Sequence, residues 1–173
     1  MPGDNPDIAI VATEEKHIEG FNRVLGVLCA EKKFLAATEA PPLEDTRRFV
    51  LGMIERKSPT FMAVSGDRVV GWCDISRGKG VHDHVGVLGM GLLPEFRRRG
   101  IGPKLLARTL QAAWDAGMTR VELVVREQNA NAIAMYKKAG FQTEGLKRNS
   151  HRIEGRYESA YLMSLLHEER KGA

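Results

Sequence analysis

The 173-residue chain is poor in cysteine and has no long apolar run. Its two cysteines, Cys29 and Cys73, lie in apolar stretches and are too few for the disulfide framework of a small secreted protein. The first residues lack a basic start followed by an apolar run, and no segment approaches the roughly 18 apolar residues of a membrane span. We therefore expect a soluble, cytoplasmic protein with no membrane partner.

Internal repeats and low-complexity linkers are also missing. Hydrophobic residues make up 43% of the chain, which is enough to build a buried core. The length suits one domain, so we expect a single domain over residues 1–173.

The formal net charge is only +4, but many of the basic residues follow position 96. Such local basicity favours an anionic ligand. Neither interleaved aromatic residues nor zinc-finger spacing accompanies the basic stretches, which argues against nucleic acid as a partner. We therefore expect an anionic ligand of another kind.

The first third of the chain predicts one strand and two helices. Residues 7–12 alternate in the manner of a strand, and Thr13 follows as the cap of a first helix. Two prolines precede a second helix over residues 43–56. Its helical spacing places four apolar side chains on the buried side, namely Phe49, Val50, Met53 and Ile54.

The remainder predicts a hairpin, two more helices and further strands. Glycine or proline marks most of the boundaries, as at Gly66 in the hairpin turn, Pro103 at a helix start, and Gly117 and Gly140 at helix ends. The predicted strands cover residues 61–64, 68–75, 85–93, 120–126 and 157–166, and the last helix covers residues 131–139. The full order is βααβββαβαββ, with no bounds for the strand before the last. It implies an α/β fold with a central mixed, partly antiparallel sheet flanked by about four helices.

A basic, glycine-containing turn over residues 97–104 joins a strand to a helix. A helix N-terminus exposes unpaired amides and partial positive charge, so such a turn can bind phosphate. The turn fits neither the P-loop pattern G-x-x-x-x-G-K-S/T nor the dinucleotide pattern G-x-G-x-x-G, which disfavours ATP and dinucleotides. Glycines that merely tighten a surface turn are the alternative.

Two motifs resemble those of the GNAT superfamily of N-acetyltransferases. Arg97, Gly100 and Gly102 match its acetyl-CoA motif R/Q-x-x-G-x-G/A at a strand-to-helix junction. Downstream, a second signature, N-x-x-A-x-x-x-Y-x-x-x-G-F, is similar to the run from Asn129 to Phe141. The two motifs span the central third of the chain. The resemblance implies the GNAT fold and acetyl-CoA as co-substrate. Independently of it, we expect no metal.

The resemblance also implies which residues bind acetyl-CoA. A bulged fourth strand would offer the main chain of Leu92 to pantetheine, and the amides of residues 98–102, with the side chains of Arg97 and Lys104, would hold the pyrophosphate. Asn129 would contact the pantetheine arm or adjacent backbone. The full expected set is Gly91, Leu92, Leu93, Arg97, Arg98, Arg99, Gly100, Ile101, Gly102, Pro103, Lys104, Asn129, Ala132 and Tyr136.

Tyr136 matches the tyrosine that protonates the departing thiolate in many family members. A phenol with a pKa of about 10 can do so if it is well placed; packing on an apolar helix face is the alternative. The base that deprotonates the amine is open between Asp74, the loop around His84, and a water chain. His82 and His84 flank Asp83, but no third metal ligand appears at a recognisable spacing.

The acceptor is expected to be a primary amine on a small molecule or a peptide, attacked directly in a ternary complex. The C-terminal part resembles the branch of ribosomal-protein N-terminal and small-amine acetyltransferases, although Ser159 replaces an acidic residue that many of them carry. A non-catalytic acyl-CoA-binding sensor is the alternative function. A homodimer is the expected assembly.

Overall fold

The computed structural model describes residues 7–167. Its centre is one seven-stranded sheet with the order β1-β2-β3-β4-β5-β7-β6. All neighbouring strands are antiparallel except β4 and β5, which are parallel. The strands are β1 (Ile8–Ala12), β2 (Thr60–Ser65), β3 (Arg68–Arg77), β4 (Val85–Leu92), β5 (Arg120–Arg126), β6 (Gln142–Ile153) and β7 (Arg156–Leu166).

Four helices cover the two faces of the sheet: α1 (Ile18–Ala30), α2 (Leu43–Glu55), α3 (Ile101–Asp115) and α4 (Ala130–Lys138). On β3, the ring of Trp72 packs 5.1 Å from that of Phe21 in α1, so α1 lies on the face that Trp72 points to. Phe61, which pairs with Cys73 of β3, carries the guanidinium of Arg108 from α3 over its ring at 5.1 Å. Helix α3 therefore covers the opposite face. None of the helices in residues 7–167 is long and apolar enough to cross a membrane.

The element order βααβββαβαββ and the mixed α/β class are confirmed. The strand without predicted bounds is β6, at one edge of the sheet and exposed along most of its length. The predicted cap at Thr13 is wrong, because its hydroxyl pairs with that of Thr60 at 2.9 Å. A 3-10 turn precedes α1 instead, and the amide of Glu14 donates to His17 Nδ1 at 3.0 Å.

The buried side predicted for α2 is correct at Val50 and Met53, which are 2% and 1% exposed. It is wrong at Phe49 and Ile54, which are 40% and 38% exposed. Thr46 takes a buried place on this helix because its hydroxyl accepts a hydrogen bond from the Asn22 side chain at 2.9 Å. The apolar stripe is therefore narrower than the sequence suggests.

Strands β4 and β5 pair only over Val85–Val87 and then part. The register between β3 and β4 shows no shift, so the predicted bulge is not seen there. This separation has the effect that was expected of a bulge, because among residues 7–167 no strand pairs with the far half of β4 on that side. We call the space between residues 88–92 of β4 and residues 123–126 of β5 the β4–β5 gap.

Candidate functional site

A cavity of about 480 Å³ opens at the parted end of β4. It lies between the end of β4, the turn that starts α3, the helix α4 and the chain that follows α1. Its walls are formed by Leu28, Phe34, Leu35, Met90, Gly91, Leu92, Arg97, Arg98, Gly100, Gly102, Pro103, Asn129, Asn131, Ala132, Met135 and Tyr136. Ten of these were expected from the sequence, so the two motifs converge on one cavity.

The backbone of β4 is suited to pairing with an extended ligand. The amide of Leu93 donates to the carbonyl of Val70 at 2.9 Å, which keeps Leu93 in the ladder with β3. Because hydrogen-bonding direction alternates along an antiparallel strand, the backbone groups of Met90 and Leu92 point away from β3, towards the gap. The carbonyl of Leu92 already accepts from Arg97 Nε at 3.0 Å. Within residues 7–167, the backbone groups of Met90 and the amide of Leu92 have no strand partner on that side, so an extended ligand could pair with them.

The turn before α3 holds two residues in the left-handed region, Arg98 (φ +58°) and Gly100 (φ +76°). An arginine rarely adopts this conformation, so the turn carries local strain. Helix α3 begins directly afterwards at Ile101, and the unpaired amides of its first turn favour an anion. Pro103 is the third residue of α3, although the sequence predicted it to be the first. Amides in the first turn of a helix have no intrahelical partner, so the helix loses no hydrogen bond by having proline at this position.

The side chain of Arg97 is engaged by the protein itself. Its two terminal nitrogens donate to the carboxylate of Glu31, at 3.0 and 2.6 Å, and the ring of Phe34 lies 5.0 Å from its Cζ. With Nε on Leu92, three of the five N–H groups have partners. The Arg97 side chain therefore makes contacts within the protein that the motif did not indicate.

Four of the expected cofactor residues do not line the cavity. Leu93 and Ile101 are buried in the core, at 3% and 7% exposure. The guanidinium of Arg99 lies 5.5 Å from the ring of Phe96, and the side chain of Lys104 is exposed. Among the motif arginines it is Arg98 that reaches the cavity wall with an exposed side chain.

Asn129 caps helix α4, since its Oδ1 accepts from the amide of Ala132 at 3.3 Å. This contact matches the second of the two expected roles, contact with adjacent backbone. Both residues line the cavity, so this hydrogen bond also holds that part of the cavity wall in place. Helices α3 and α4 are in close contact here. A Cβ added at Gly102 of α3 would lie only 3.1 Å from Sδ of Met135 on α4.

Tyr136 lines the cavity from α4 and is 7% exposed. Its ring packs 5.6 Å from that of Phe141. Burial raises the pKa of the Tyr136 phenol above its ordinary value, because the charged form loses hydration. The phenol therefore stays protonated at neutral pH, as a proton donor must.

Asp74 is buried on β3, on the face covered by α1, and like His84 it is not among the residues that line the cavity. Trp72 Nε1 donates a hydrogen bond to Asp74 Oδ1 at 2.9 Å. In the ladder between β3 and β4, Asp74 lies opposite Gly89. A Cβ at position 89 would lie 3.4 Å from Oδ1, so the glycine keeps space open beside the carboxylate. Burial raises the pKa of Asp74 to about 7, although the bond from Trp72 opposes the rise.

His84, the other candidate base, lies at the start of β4, at the opposite end from the cavity. Its carbonyl accepts from the amides of Thr119 and Arg120, and its side chain is exposed. The structure does not bring it to the cavity wall. Across residues 7–167 no cluster of three His, Cys, Asp or Glu side chains is suited to a metal ion.

Six wall residues were not expected: Leu28, Phe34, Leu35, Met90, Asn131 and Met135. Met90 and Asn131 lie inside or beside the motifs, and alternation along β4 would have singled out Met90. The chain after α1 carries no pattern that separates Phe34 and Leu35 from ordinary core residues. Only the fold brings them to the cavity.

The fold and the site together define a protein that can hold an extended ligand with phosphate groups at one end. The chain belongs to the Acetyltransferase (GNAT) family, whose model matches residues 26–141.

Two relatives carry names that describe N-acetyltransferases. The chain is similar to the [Ribosomal protein bS18]-alanine N-acetyltransferase of Salmonella typhimurium, with 33% identity over 85 residues, which is 49% of this chain and 57% of that protein. It is also similar to the N-alpha-acetyltransferase RimI of Mycobacterium tuberculosis, with 38% identity over 94 residues, or 54% of this chain and 58% of that one. The matches thus span less than two thirds of these relatives.

Solved structures share the fold over nearly the whole chain. A GNAT-family acetyltransferase from Streptococcus pneumoniae has a TM-score of 0.87 at 23% identity, covering 93% of this chain and 100% of that one. A phosphinothricin acetyltransferase from Sinorhizobium meliloti, solved with AcCoA, has a TM-score of 0.89 at 16% identity, covering 96% and 91%. At these identities the likeness shows the fold.

Proposed function

We propose that the protein is an N-acetyltransferase that moves the acetyl group of acetyl-CoA to a primary amine by direct attack in a ternary complex. The observation that carries the proposal is the cavity at the parted end of β4, with an anion-binding turn at its edge and Tyr136 in its wall. This is the arrangement that an extended phosphate-bearing thioester requires.

The residues present suit acetyl-CoA. The amides of residues 98–102 and the side chain of Arg98 would hold the pyrophosphate at the start of α3. Further along β4, the backbone of Met90 and the amide of Leu92 would pair with the amides of pantetheine. When bound, the co-substrate supplies an activated acyl group, and the chain supplies its orientation.

Asp74 and Tyr136 suit the two proton transfers. The carboxylate of Asp74 would take the proton that the amine nitrogen loses as its bond to the acyl carbon forms. The phenol of Tyr136 would give its proton to the sulfur as the carbon–sulfur bond breaks. No cysteine lines the described cavity, which favours direct attack over an acyl-enzyme.

A peptide or protein N-terminus is the acceptor that the relatives' names favour, with a small-molecule amine as the other class. We further propose that the protein works in the cytoplasm. The homodimer stays a prediction, which sedimentation velocity at several concentrations would check.

Release of free thiol from acetyl-CoA, measured across a panel of peptides and small amines, tests the proposal. The matched control for each peptide is the same peptide with its α-amine already acetylated. We expect release with at least one free amine and none with its blocked partner. Tight binding of acetyl-CoA without release on any amine would favour the acyl-CoA sensor instead.

A further inference from the structure

The segment after α1, residues 31–35, is attached to both sides of the β4–β5 gap, and we call it the strap. On one side, Glu31 forms the two-pronged ion pair with Arg97, which lies just beyond β4. On the other side, the carbonyl of Lys32 accepts from a terminal nitrogen of Arg126, the last residue of β5, at 2.9 Å. The strap therefore spans the gap.

Both anchoring arginines are themselves held in place. Arg97 is fixed by Nε on the carbonyl of Leu92 and by the ring of Phe34. Arg126 is 3% exposed and pairs with Glu158 of β7, whose Oε2 accepts from Nε at 2.7 Å. Arg126 is the more rigid of the two anchors, since its guanidinium is buried and its donors cannot turn to water.

The strap also forms part of the cavity wall, through Phe34 and Leu35. Its position thus decides whether that side of the cavity is closed by apolar surface. We infer that Arg97 is a positioning residue, which acts through Glu31 to hold the strap over the part of the cavity that takes pantetheine. This inference rests on the proposed function only in assuming that the ligand is a coenzyme A thioester.

The alternative is that the Arg97 side chain binds the pyrophosphate, as the motif implied. The two roles predict opposite effects for Glu31→Gln, which removes one charge without changing shape. If Arg97 served the pyrophosphate, loss of Glu31's charge would release the guanidinium and tighten coenzyme A. If Arg97 holds the strap, the same change weakens coenzyme A.

Calorimetric titration with two ligands separates these roles: coenzyme A, and 3′-phospho-ADP, which has the pyrophosphate but no pantetheine. We expect Glu31→Gln and Arg97→Met each to weaken coenzyme A about tenfold, and the double variant to add little to either. Binding of 3′-phospho-ADP should change by less than about threefold in all three. In turnover, the KM for acetyl-CoA should rise while kcat at saturation is kept.

Arg98→Met is the matched control, because it removes the same charge from the neighbouring residue on the cavity wall. It should weaken both ligands, since its side chain is placed to reach phosphate. Arg48→Met is a second control, because it breaks an exposed pair with Asp45 on α2, away from the strap and the cavity, and should have little effect. Melting temperatures verify folding, and Glu31→Gln keeps the test valid if Arg97→Met does not fold.

Tighter or unchanged coenzyme A binding in Glu31→Gln, or loss of 3′-phospho-ADP binding in Arg97→Met, would overturn the inference. Because these are binding measurements, they are independent of turnover. The proposed function has its own test. It fails if the protein binds both ligands as described but no amine causes release of free coenzyme A from acetyl-CoA.

Discussion

Asp74 and Tyr136 lie on opposite sides of the sheet. Asp74 is on the face covered by α1, beside Trp72, whereas Tyr136 reaches the cavity from α4, which packs against α3. With a thioester in the cavity on the Tyr136 side, an incoming amine would approach from the face of the sheet that carries Asp74. The two proton transfers of acetyl transfer would then need no shared group.

Asp74→Asn should lower kcat by about a hundredfold, because a positioned base typically contributes that much or more. The carboxylate is the active form and its pKa is about 7, so activity of the unaltered protein should rise as the pH increases through about 7. The variant should lose that rise. Rates from pH 5.5 to 9 with one acceptor check this, since the acceptor's own titration is common to both proteins. An unchanged profile would exclude Asp74 as the base.

Trp72→Phe should move the same rise to higher pH, by roughly one unit. The indole N–H stabilises the Asp74 carboxylate, and its loss leaves desolvation unopposed, so the pKa of Asp74 increases. The pH–rate profile is again the measurement, with a melting curve to show that the smaller ring is tolerated. A shift to lower pH would contradict the hydrogen-bond geometry.

The buried carboxyl also predicts a pH dependence of stability. The folded chain keeps a proton on Asp74 up to about pH 7, whereas the unfolded chain loses it near the ordinary value of 3.8. Between these values the folded state binds more protons, so Asp74 lowers the free energy of unfolding as the pH rises, by up to about 1.4 kcal/mol per unit. Urea unfolding at pH 4.5 and 7.5 should show this loss in the unaltered protein relative to Asp74→Asn. Equal pH slopes in the two proteins would mean that the carboxyl is not desolvated.

Tyr136→Phe should reduce turnover by about a hundredfold and leave acetyl-CoA affinity within about threefold. The ring keeps its packing against Phe141, and only the hydroxyl is lost. Tyr157→Phe is the matched control, because that side chain is exposed, and it should leave both quantities unchanged. An unchanged rate in Tyr136→Phe would remove the phenol from the mechanism.

Much of the fold and the core of the site could be predicted from the sequence, because both rest on local signals. Gly100 and Tyr136 belong to short motifs at a strand end and on a helix, and glycines mark the element boundaries. The exposed strand β6 has no alternating apolar pattern, which is why its bounds could not be predicted.

The strap could not be predicted, since its contacts join residues far apart in the chain. Glu31 and Arg97 are separated by 66 positions, and nothing in the residues around either one indicates the other. The proposed preference for Asp74 over His84 as the base also depends on long-range structure. Both are plausible by chemistry, and only the topology buries one beside β4 and leaves the other at the far end.

Transfer of acetyl label tests the central claim most directly. The protein would be mixed with acetyl-CoA labelled in the acetyl group and a peptide with a free α-amine chosen from the thiol-release panel. Mass spectrometry of the peptide should show one added, labelled acetyl group on that amine, formed by the unaltered protein and far more slowly by Tyr136→Phe. Label that stays on coenzyme A, in a protein that binds it tightly, would contradict the account.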